Sequence, residues 1–271
     1  MPSIFELTDT AQLTKSPFTA NRNTVLLTPP WTVGHPTKSL DFRRAYLAQS
    51  FFESLNREAH RLVLEGSTPT EVDAVLTLSK SNMGILESND HFGIDLLFWS
   101  RSKKRMHLKN DLSYFVLSDE LFKLGRYGKK TGRGFYRYES TKHEDPEVPH
   151  IAAMLAHEIE VPYRNNITVQ EIRERLLLTL IIEGINLINE LPLISVYDIV
   201  LVFTQEFQFS FNDGEPTNSP TALDSQYIAS RIDHYKGSLG SYGATWFQTH
   251  SALVHVLIRQ IVDNIISSAK G

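Results

Sequence analysis

The sequence predicts an all-α protein that contains two related helical units in tandem. Apolar residues recur at helical spacing over 42–65 and 172–190, which indicates two long amphipathic helices. No stretch alternates between apolar and polar residues as a half-buried strand does, so a sheet has little support. Three acids of the first segment recur 125 positions later in the second, which indicates an internal duplication. The recurring pairs are Glu58 and Glu183, Glu65 and Glu190, and Asp73 and Asp198.

The predicted helices have end signals in the sequence. The first long helix stops at Gly66, because glycine readily takes the positive φ of a helix terminus, and a short helix follows over 67–78. The second long helix opens with a capping-box pattern, Thr168 followed by Glu171, and Pro192 ends it. Further helices are predicted over 117–124, 150–159, 225–235 and 245–267.

Proline and turn residues mark three irregular segments, at 28–36, 143–149 and 212–220. The first lies within a proline-rich insertion at about residues 23–40. The second is interpreted as the linker between the two units. We therefore predict a first helical domain over 1–145 and a second, more divergent copy over 146–271.

Composition excludes several classes of function. The 271 residues carry a formal net charge of -4, so nothing in the overall charge favours nucleic acid as a partner. The chain has no cysteine, which excludes disulfides, zinc–thiolate sites and thiol catalysis. No apolar run reaches the roughly 18–20 residues of a membrane span. His157 lacks a second histidine at metal-site spacing, so no metal is predicted.

One motif resembles a known family. The segment over 125–138, with the sequence GRYGKKTGRGFYRY, is similar to the glycine-spaced stretch that closes the C-terminal domain of 3-hydroxyacyl-CoA dehydrogenases. Other pieces follow in the family's order: the F-x-x-N-R opening at 18–22, the helix with Glu58 and its stop at Gly66, Val72-Asp73, and the element over 83–95 with Asp90. The resemblance implies two tandem helical domains of the 3-hydroxyacyl-CoA dehydrogenase C-terminal type.

The same resemblance sets the expectations for the site. In this family, NAD and a catalytic His–Glu pair belong to an N-terminal Rossmann domain, and only about 17 residues precede Phe18 here. We therefore expect no catalytic residue and no cofactor. Asn21 is the one family site residue that carries over, as a substrate contact or as a helix cap. The closing segment is expected to be structural, through Gly125, Gly128, Lys130, Thr131, Gly132, Gly134, Phe135 and Tyr136.

Glu58 and Glu183 recur at one position of the two copies on helices that are otherwise apolar. A buried carboxylate must find a partner or change its pKa. We expect each to cap the N-terminus of a neighbouring helix, where the helix dipole favours an anion.

Three functions remain open. The first is a non-catalytic, dehydrogenase-derived subunit of a larger protein complex, with Trp31 of the insertion as a partner anchor. The second is the helical component of a 3-hydroxyacyl-CoA dehydrogenase that works with a separate NAD-binding chain, and the third is an acyl-CoA binder. The expected partners are other subunits of a complex or a second copy in a homodimer. The expected compartment is mitochondrial, with peroxisomal and cytoplasmic alternatives.

Overall fold

The computed structural model describes residues 40–78, 81–102, 111–209, 225–249 and 259–260. The elements named over these residues are ten α-helices and one 3-10 turn at Lys129–Thr131. They are α1 Leu40–Glu65, α2 Pro69–Val75, α3 Ile85–Phe92, α4 Ile94–Ser102, α5 Val116–Lys123, α6 Glu147–Glu158, α7 Val169–Glu190, α8 Val196–Glu206, α9 Ser225–Ser238 and α10 Gly240–Trp246. The all-α prediction is confirmed.

The two long helices lie where the apolar periodicity predicts them. Helix α1 ends at Glu65, and Gly66 follows with φ +124°, so the predicted stop is confirmed. Helix α7 begins after Thr168, whose side chain accepts from the backbone N–H of Glu171 at 3.1 Å. The predicted return bond of the capping box, from the Thr168 backbone N–H to the Glu171 carboxylate, is wrong, because this carboxylate binds Arg164.

The core forms around the contact between α1 and α7. Leu47, Phe51, Leu55 and Leu62 of α1 are buried together with apolar residues of α7. Helices α6 and α8 pack on the remaining faces of α1, so this helix touches elements from both predicted units. A single apolar cluster therefore runs through the described part of the chain.

Short strands supplement the helices. They are β1 Leu76–Leu78, β2 Met83–Gly84, β3 Tyr136–Tyr138, β4 Lys142–Glu144 and β5 Phe207–Phe209. One sheet has the order β2-β1-β5, and β3 pairs with β4 in a hairpin. Strands β1 and β5 are antiparallel with Thr77 opposite Gln208, and each follows the helix that comes after a long helix. Corresponding segments of the two predicted units thus pair with each other.

Three element boundaries differ from the predictions. The short helix ends at Val75, and the chain continues as β1 because it gains a partner in β5. The predicted linker at 143–149 contains the end of β4 and the start of α6. The predicted helix over 245–267 overlaps α10 only at its first two residues, because α10 ends at Trp246 and residues 247–249 are not helical. Residues 250–258 and 261–267 lie outside the described residues.

Asn21, Trp31 and the insertion at about 23–40 also lie outside the described residues, apart from Leu40, the first residue of α1. Within the described ranges, no helix combines the length and apolar character needed to cross a bilayer.

Candidate functional site

The closing segment is organised around a buried carboxylate, Asp90, at the end of α3. One oxygen accepts from the backbone N–H of Phe135 and the other from that of Tyr136, both at 2.9 Å. Asp90 is 1% exposed. The carboxylate therefore fastens the start of β3 to α3, because a buried charge needs donors for both oxygens.

Two glycines make this approach possible. A Cβ on Gly134 would lie 1.9 Å from Oδ1 of Asp90, and one on Gly128 would lie 2.3 Å from the Asp90 carbonyl oxygen. Gly128 also has φ +94°. Gly125 and Gly132 have φ values of +70° and +76°, and a Cβ would meet nothing at Gly125 and only an ordinary 3.6 Å contact at Gly132, so both serve the turns rather than the close contact.

The polar residues of the motif hold the loop itself. The Lys130 ammonium lies 2.6 Å from the carboxylate of Asp95 at the start of α4. The Thr131 hydroxyl accepts from the backbone N–H of Tyr127 at 2.9 Å, and it lies 3.2 Å from the carbonyl of Gly128. These contacts agree with a structural role for the motif, which remains a prediction.

A second carboxylate, Asp73 of α2, extends the same arrangement. Its oxygens accept from the backbone N–H groups of Leu86 and Glu87 in the first turn of α3, at 2.8 and 2.9 Å. The Tyr136 hydroxyl donates to it at 2.8 Å. The carboxylate that caps a neighbouring helix is therefore Asp73, whereas the sequence points to Glu58.

Burial is the largest influence on the pKa of both acids. It raises the pKa of Asp90 to about 7, although the two backbone donors act in the opposite direction. It also raises the pKa of Asp73 to about 6, again against the backbone and Tyr136 hydrogen bonds. The same burial and the neighbouring Asp73 carboxylate raise the pKa of Tyr136.

A buried ion cluster joins the two long helices. Arg175 of α7 is fully buried, and its Nε lies 2.6 Å from Oε1 of Glu58, while its Nη1 lies 2.6 Å from Oε2 of Glu65. The expectation that Glu58 caps a helix is wrong, since an arginine from the other long helix reaches its carboxylate. Glu183 is only half-buried, so the two members of this predicted pair differ in environment.

The cluster continues towards the surface through Glu65. This carboxylate also accepts from Arg61 Nε at 2.6 Å and from Arg164 Nη2 at 2.9 Å. Burial opposes its ionisation, but Arg175 and Arg61 outweigh burial and lower the pKa of Glu65 to about 2. Arg164 in turn pairs with Glu171 at the start of α7.

Helix α10 covers this cluster, a role that the sequence did not suggest. The Tyr242 hydroxyl donates to Oε2 of Glu58 at 2.6 Å, and Trp246 Nε1 donates to Asp111 at 2.6 Å. The guanidinium of Arg57 lies 4.0 Å from the Trp246 ring centroid, and that of Arg61 lies 4.4 Å from the Tyr242 ring. These partners are 135 and more residues apart in the chain, so no local spacing could reveal them.

A cavity of about 930 Å³ opens beside the cluster, between the C-terminal end of α1, the start of α7, and α9 and α10. Its lining carries more carboxylates than arginines. The carboxylates are Glu65, Asp111, Glu160, Glu171 and Glu174, and the arginines are Arg61, Arg164 and Arg231. Glu174 is already engaged, because Tyr227, Arg231 and Tyr235 bind it.

The described residues give little support for catalysis by His60 or for a metal site. His60 is fully buried, and burial lowers its pKa to about 3, so its imidazole is neutral. Its Nδ1 lies 2.6 Å from the Asn56 carbonyl oxygen. The described residues contain no cluster of three or more candidate metal ligands.

Arg126 and Arg133, part of a basic run in the motif, do not form a solvated cationic face. Arg126 is buried, with Asp145 at 2.6 Å and Glu147 at 2.8 Å. Arg133 pairs with the same two acids. The motif is thereby attached to the N-terminal end of α6.

Comparison with known proteins finds the family that the closing segment resembles. Residues 46–138 match the profile of the family described as 3-hydroxyacyl-CoA dehydrogenase, C-terminal domain. The matched stretch contains Asp73, Asp90 and the closing segment. The match spans 93 of the 271 residues, and over this stretch the chain is similar to the family that the motifs resemble.

Curated relatives carry the likeness further along the chain. The peroxisomal bifunctional enzyme of Danio rerio is 24% identical over 197 residues, and that of Homo sapiens is 27% identical over 196 residues. These alignments cover 67% and 66% of this chain but only 27% of each relative. The crystal structure of the dehydrogenase part of multifunctional enzyme 1 from C. elegans aligns with 83% of this chain and 48% of that chain, at 20% identity and a TM-score of 0.49.

Proposed function

We propose that this chain is a non-catalytic subunit of a larger protein assembly, built on dehydrogenase C-terminal domains. The observation that carries the proposal is that the buried carboxylates are enclosed or bound by structural partners. Oxidation of a hydroxyl needs a base that can reach the substrate and that titrates near the working pH. Asp90 has a suitable pKa, but Phe135, Tyr136 and Gly134 enclose it.

The remaining buried groups support the same proposal. Glu58 and Glu65 are committed to Arg175, and Asp73 is committed to α3 and Tyr136. Each holds one element of the fold against another. The ionisable groups of this core therefore stabilise the packing of α1, α3 and α7.

The charge of the large cavity argues against acyl-CoA binding there. Coenzyme A carries phosphate groups, which bind best to arginine and lysine side chains. Among the described residues of the lining, five carboxylates face three arginines, and Arg164 and Arg231 already pair with carboxylates of the lining. We therefore rank the acyl-CoA binder last.

The dehydrogenase component remains the second candidate, because the profile match over residues 46–138 favours it. In that case a separate chain supplies the domain that binds NAD, and Asn21 contacts the substrate. The relatives are named peroxisomal enzymes, which supports the peroxisomal alternative over the mitochondrial expectation.

Native isolation of the tagged full chain from its source tests the proposal. We expect a stoichiometric complex with other proteins, and no reduction of NAD by the purified chain with a 3-hydroxyacyl-CoA substrate. The proposal fails if the pure chain turns the substrate over, or if it is isolated alone. A pair with a nucleotide-binding chain that reduces NAD supports the second candidate, and Asn21→Ala should then lower turnover without changing the pair.

A further inference from the structure

A small pocket of about 30 Å³ lies between α1, α3 and α4, beside the residue that precedes α5. Two half-buried side chains, Glu53 and Ser100, mark its opening, and the rest of its lining is buried. A water molecule needs roughly 10–15 Å³ of such space, so the pocket has room for about two non-hydrogen atoms. The buried lining consists of Phe52, Asn56, Asn89, Leu97, Arg101 and Phe115.

Two side-chain amides fix the polarity of the inner wall. The Asn56 amide nitrogen donates to the carbonyl oxygen of Phe52 at 2.9 Å, so Asn56 Oδ1 is turned the other way. That oxygen accepts from the Asn89 amide nitrogen at 2.5 Å. A reversed Asn89 amide would place two acceptors against each other, so its orientation follows from that of Asn56. The atom that Asn89 offers to the pocket is therefore Oδ1.

This oxygen is a buried acceptor. Asn89 is 1% exposed, and no described residue donates to its Oδ1. In the unfolded chain the same oxygen accepts from water, so the folded chain gains whenever a ligand restores that hydrogen bond. The inner wall therefore selects a ligand that carries an O–H or N–H group.

The charged side chains of the lining select a neutral ligand. The Arg101 guanidinium lies 4.2 Å from the Phe115 ring centroid and donates to Ser118 and Asp119. It disfavours an ammonium group in the pocket, because two cations repel each other. Glu53 at the opening disfavours a carboxylate or a phosphate for the same reason. Among neutral donors, a hydroxyl on one carbon has two non-hydrogen atoms and fits the space, whereas a primary amide has three.

We propose that this pocket binds the hydroxyl end of a small neutral molecule. The hydroxyl donates to Asn89 Oδ1, the adjoining carbon packs against Phe52 and Leu97, and the rest of the molecule lies at the opening. Apolar walls with a few fixed polar groups are typical of small-molecule sites. The pocket shares no lining residue with the large cavity, and the inference does not depend on the assembly role.

Titration of the full chain with two small molecules tests the proposal, with nuclear magnetic resonance of the amide groups as the readout. Ethanol and acetonitrile have the same number of non-hydrogen atoms, but only ethanol carries a donor. We expect ethanol to shift the signals of the Asn89 side-chain amide and the Ser100 backbone amide saturably. The expected Kd is about 10 mM, which a ligand of this size can reach, and acetonitrile should bind about ten-fold more weakly or worse.

A variant that fills the opening locates the site. Ser100→Leu should weaken ethanol binding by about ten-fold or more, because the leucine side chain takes the space of the ligand. Ser230→Leu is the matched control, since each serine donates to the carbonyl three residues earlier in its helix, at 2.8 Å for Ser100 and 2.7 Å for Ser230. Ser230 is exposed on α9, which does not line the pocket, so this variant should bind ethanol as the native chain does. Circular dichroism should report the same helical content for both variants.

Three outcomes would overturn the proposal. Equal affinity for ethanol and acetonitrile would mean that Asn89 does not select a donor. Unchanged binding of ethanol by Ser100→Leu would place the ligand elsewhere. Absence of a saturable shift at Asn89 up to about 500 mM ethanol, well above the expected Kd, would mean that the pocket takes no hydroxyl. The assembly role is tested separately, by isolation of the native complex.

Discussion

At the scale of single residues, the closing motif needs glycine where a Cβ would collide with Asp90 or where φ is positive. Gly134 leaves room for the carboxylate of Asp90, and that carboxylate receives two backbone donors. The motif therefore depends on two different properties of glycine. One is the missing side chain at Gly134, and the other is the freedom to adopt positive φ at Gly125.

Substitution of the two glycines should separate these properties. Gly134→Ala places a methyl group 1.9 Å from Asp90 Oδ1, so it should lower the free energy of unfolding by about 3 kcal/mol or more. Gly125→Ala meets open space and has only its φ of +70° to accommodate, so it should cost about 1 kcal/mol. Urea unfolding of both variants measures the difference. Equal losses would mean that the contact with Asp90 is not what requires glycine.

Asp90 should also make stability depend on pH. Burial raises its pKa from 3.8 to about 7, so between those values the folded chain binds more protons than the unfolded chain. The free energy of unfolding then falls as the pH rises through this range. At about 1.4 kcal/mol per pH unit, roughly 3 kcal/mol should be lost between about pH 5 and pH 8.

Asp90→Asn provides the comparison, because an amide does not titrate. Denaturation of both chains at each pH should show a smaller loss for the variant, with the remaining slope due partly to Asp73, whose pKa is also raised. If the two chains lose the same stability between about pH 5 and pH 8, then Asp90 is ionised throughout and its backbone donors outweigh burial.

At the scale of elements, α10 is a short helix that is held by distant partners. Its seven residues cannot form a stable helix alone, because isolated helices of this length are marginal in water. The Tyr242 hydroxyl donates to Glu58 of α1, and the Arg57 and Arg61 guanidinium groups of α1 lie over the Trp246 and Tyr242 rings. Tertiary contacts therefore account for its position.

Tyr242→Phe tests this attachment. It removes the one donor that α10 offers to Glu58 Oε2 and should cost about 2 kcal/mol, because a buried carboxylate oxygen loses its partner. Tyr227→Phe is the matched control: its hydroxyl also binds a glutamate, Glu174, but Tyr227 is 37% exposed, so water can replace it. Thermal unfolding should place the Tyr242 variant clearly below the Tyr227 variant. Equal midpoints would contradict a docking role for the Tyr242 hydroxyl.

At the scale of the whole molecule, the two predicted units share one core and one ion cluster. Strand β1 of the first pairs with β5 of the second, and α1 packs along α7. Arg175 joins the units most directly, since Glu58 and Glu65 both come from α1. The proposed division at residue 145 therefore describes sequence relatedness and does not imply two independently stable pieces.

Arg175→Ala should reveal this coupling. It removes the arginine that binds the buried Glu58 and one of the three that bind Glu65, so it should cost about 3–5 kcal/mol. Arg164→Ala, with a side chain 34% exposed, should cost about 1 kcal/mol or less. Urea unfolding followed by tryptophan fluorescence and by circular dichroism measures both losses. We expect coincident transitions for the native chain. Separate transitions for the two halves would contradict a shared core.

The sequence by itself determined the helical class and the positions of α1 and α7, because helical periodicity and glycine stops are local signals. The motif over 125–138 was also recognisable, since its glycines are close in sequence. Only the tertiary structure decided the partners of Glu58, Asp73 and Asp90. Arg175, Tyr136 and Phe135 donate to them from 117, 63 and 45 residues away, and burial raises the pKa of Asp73 and of Asp90.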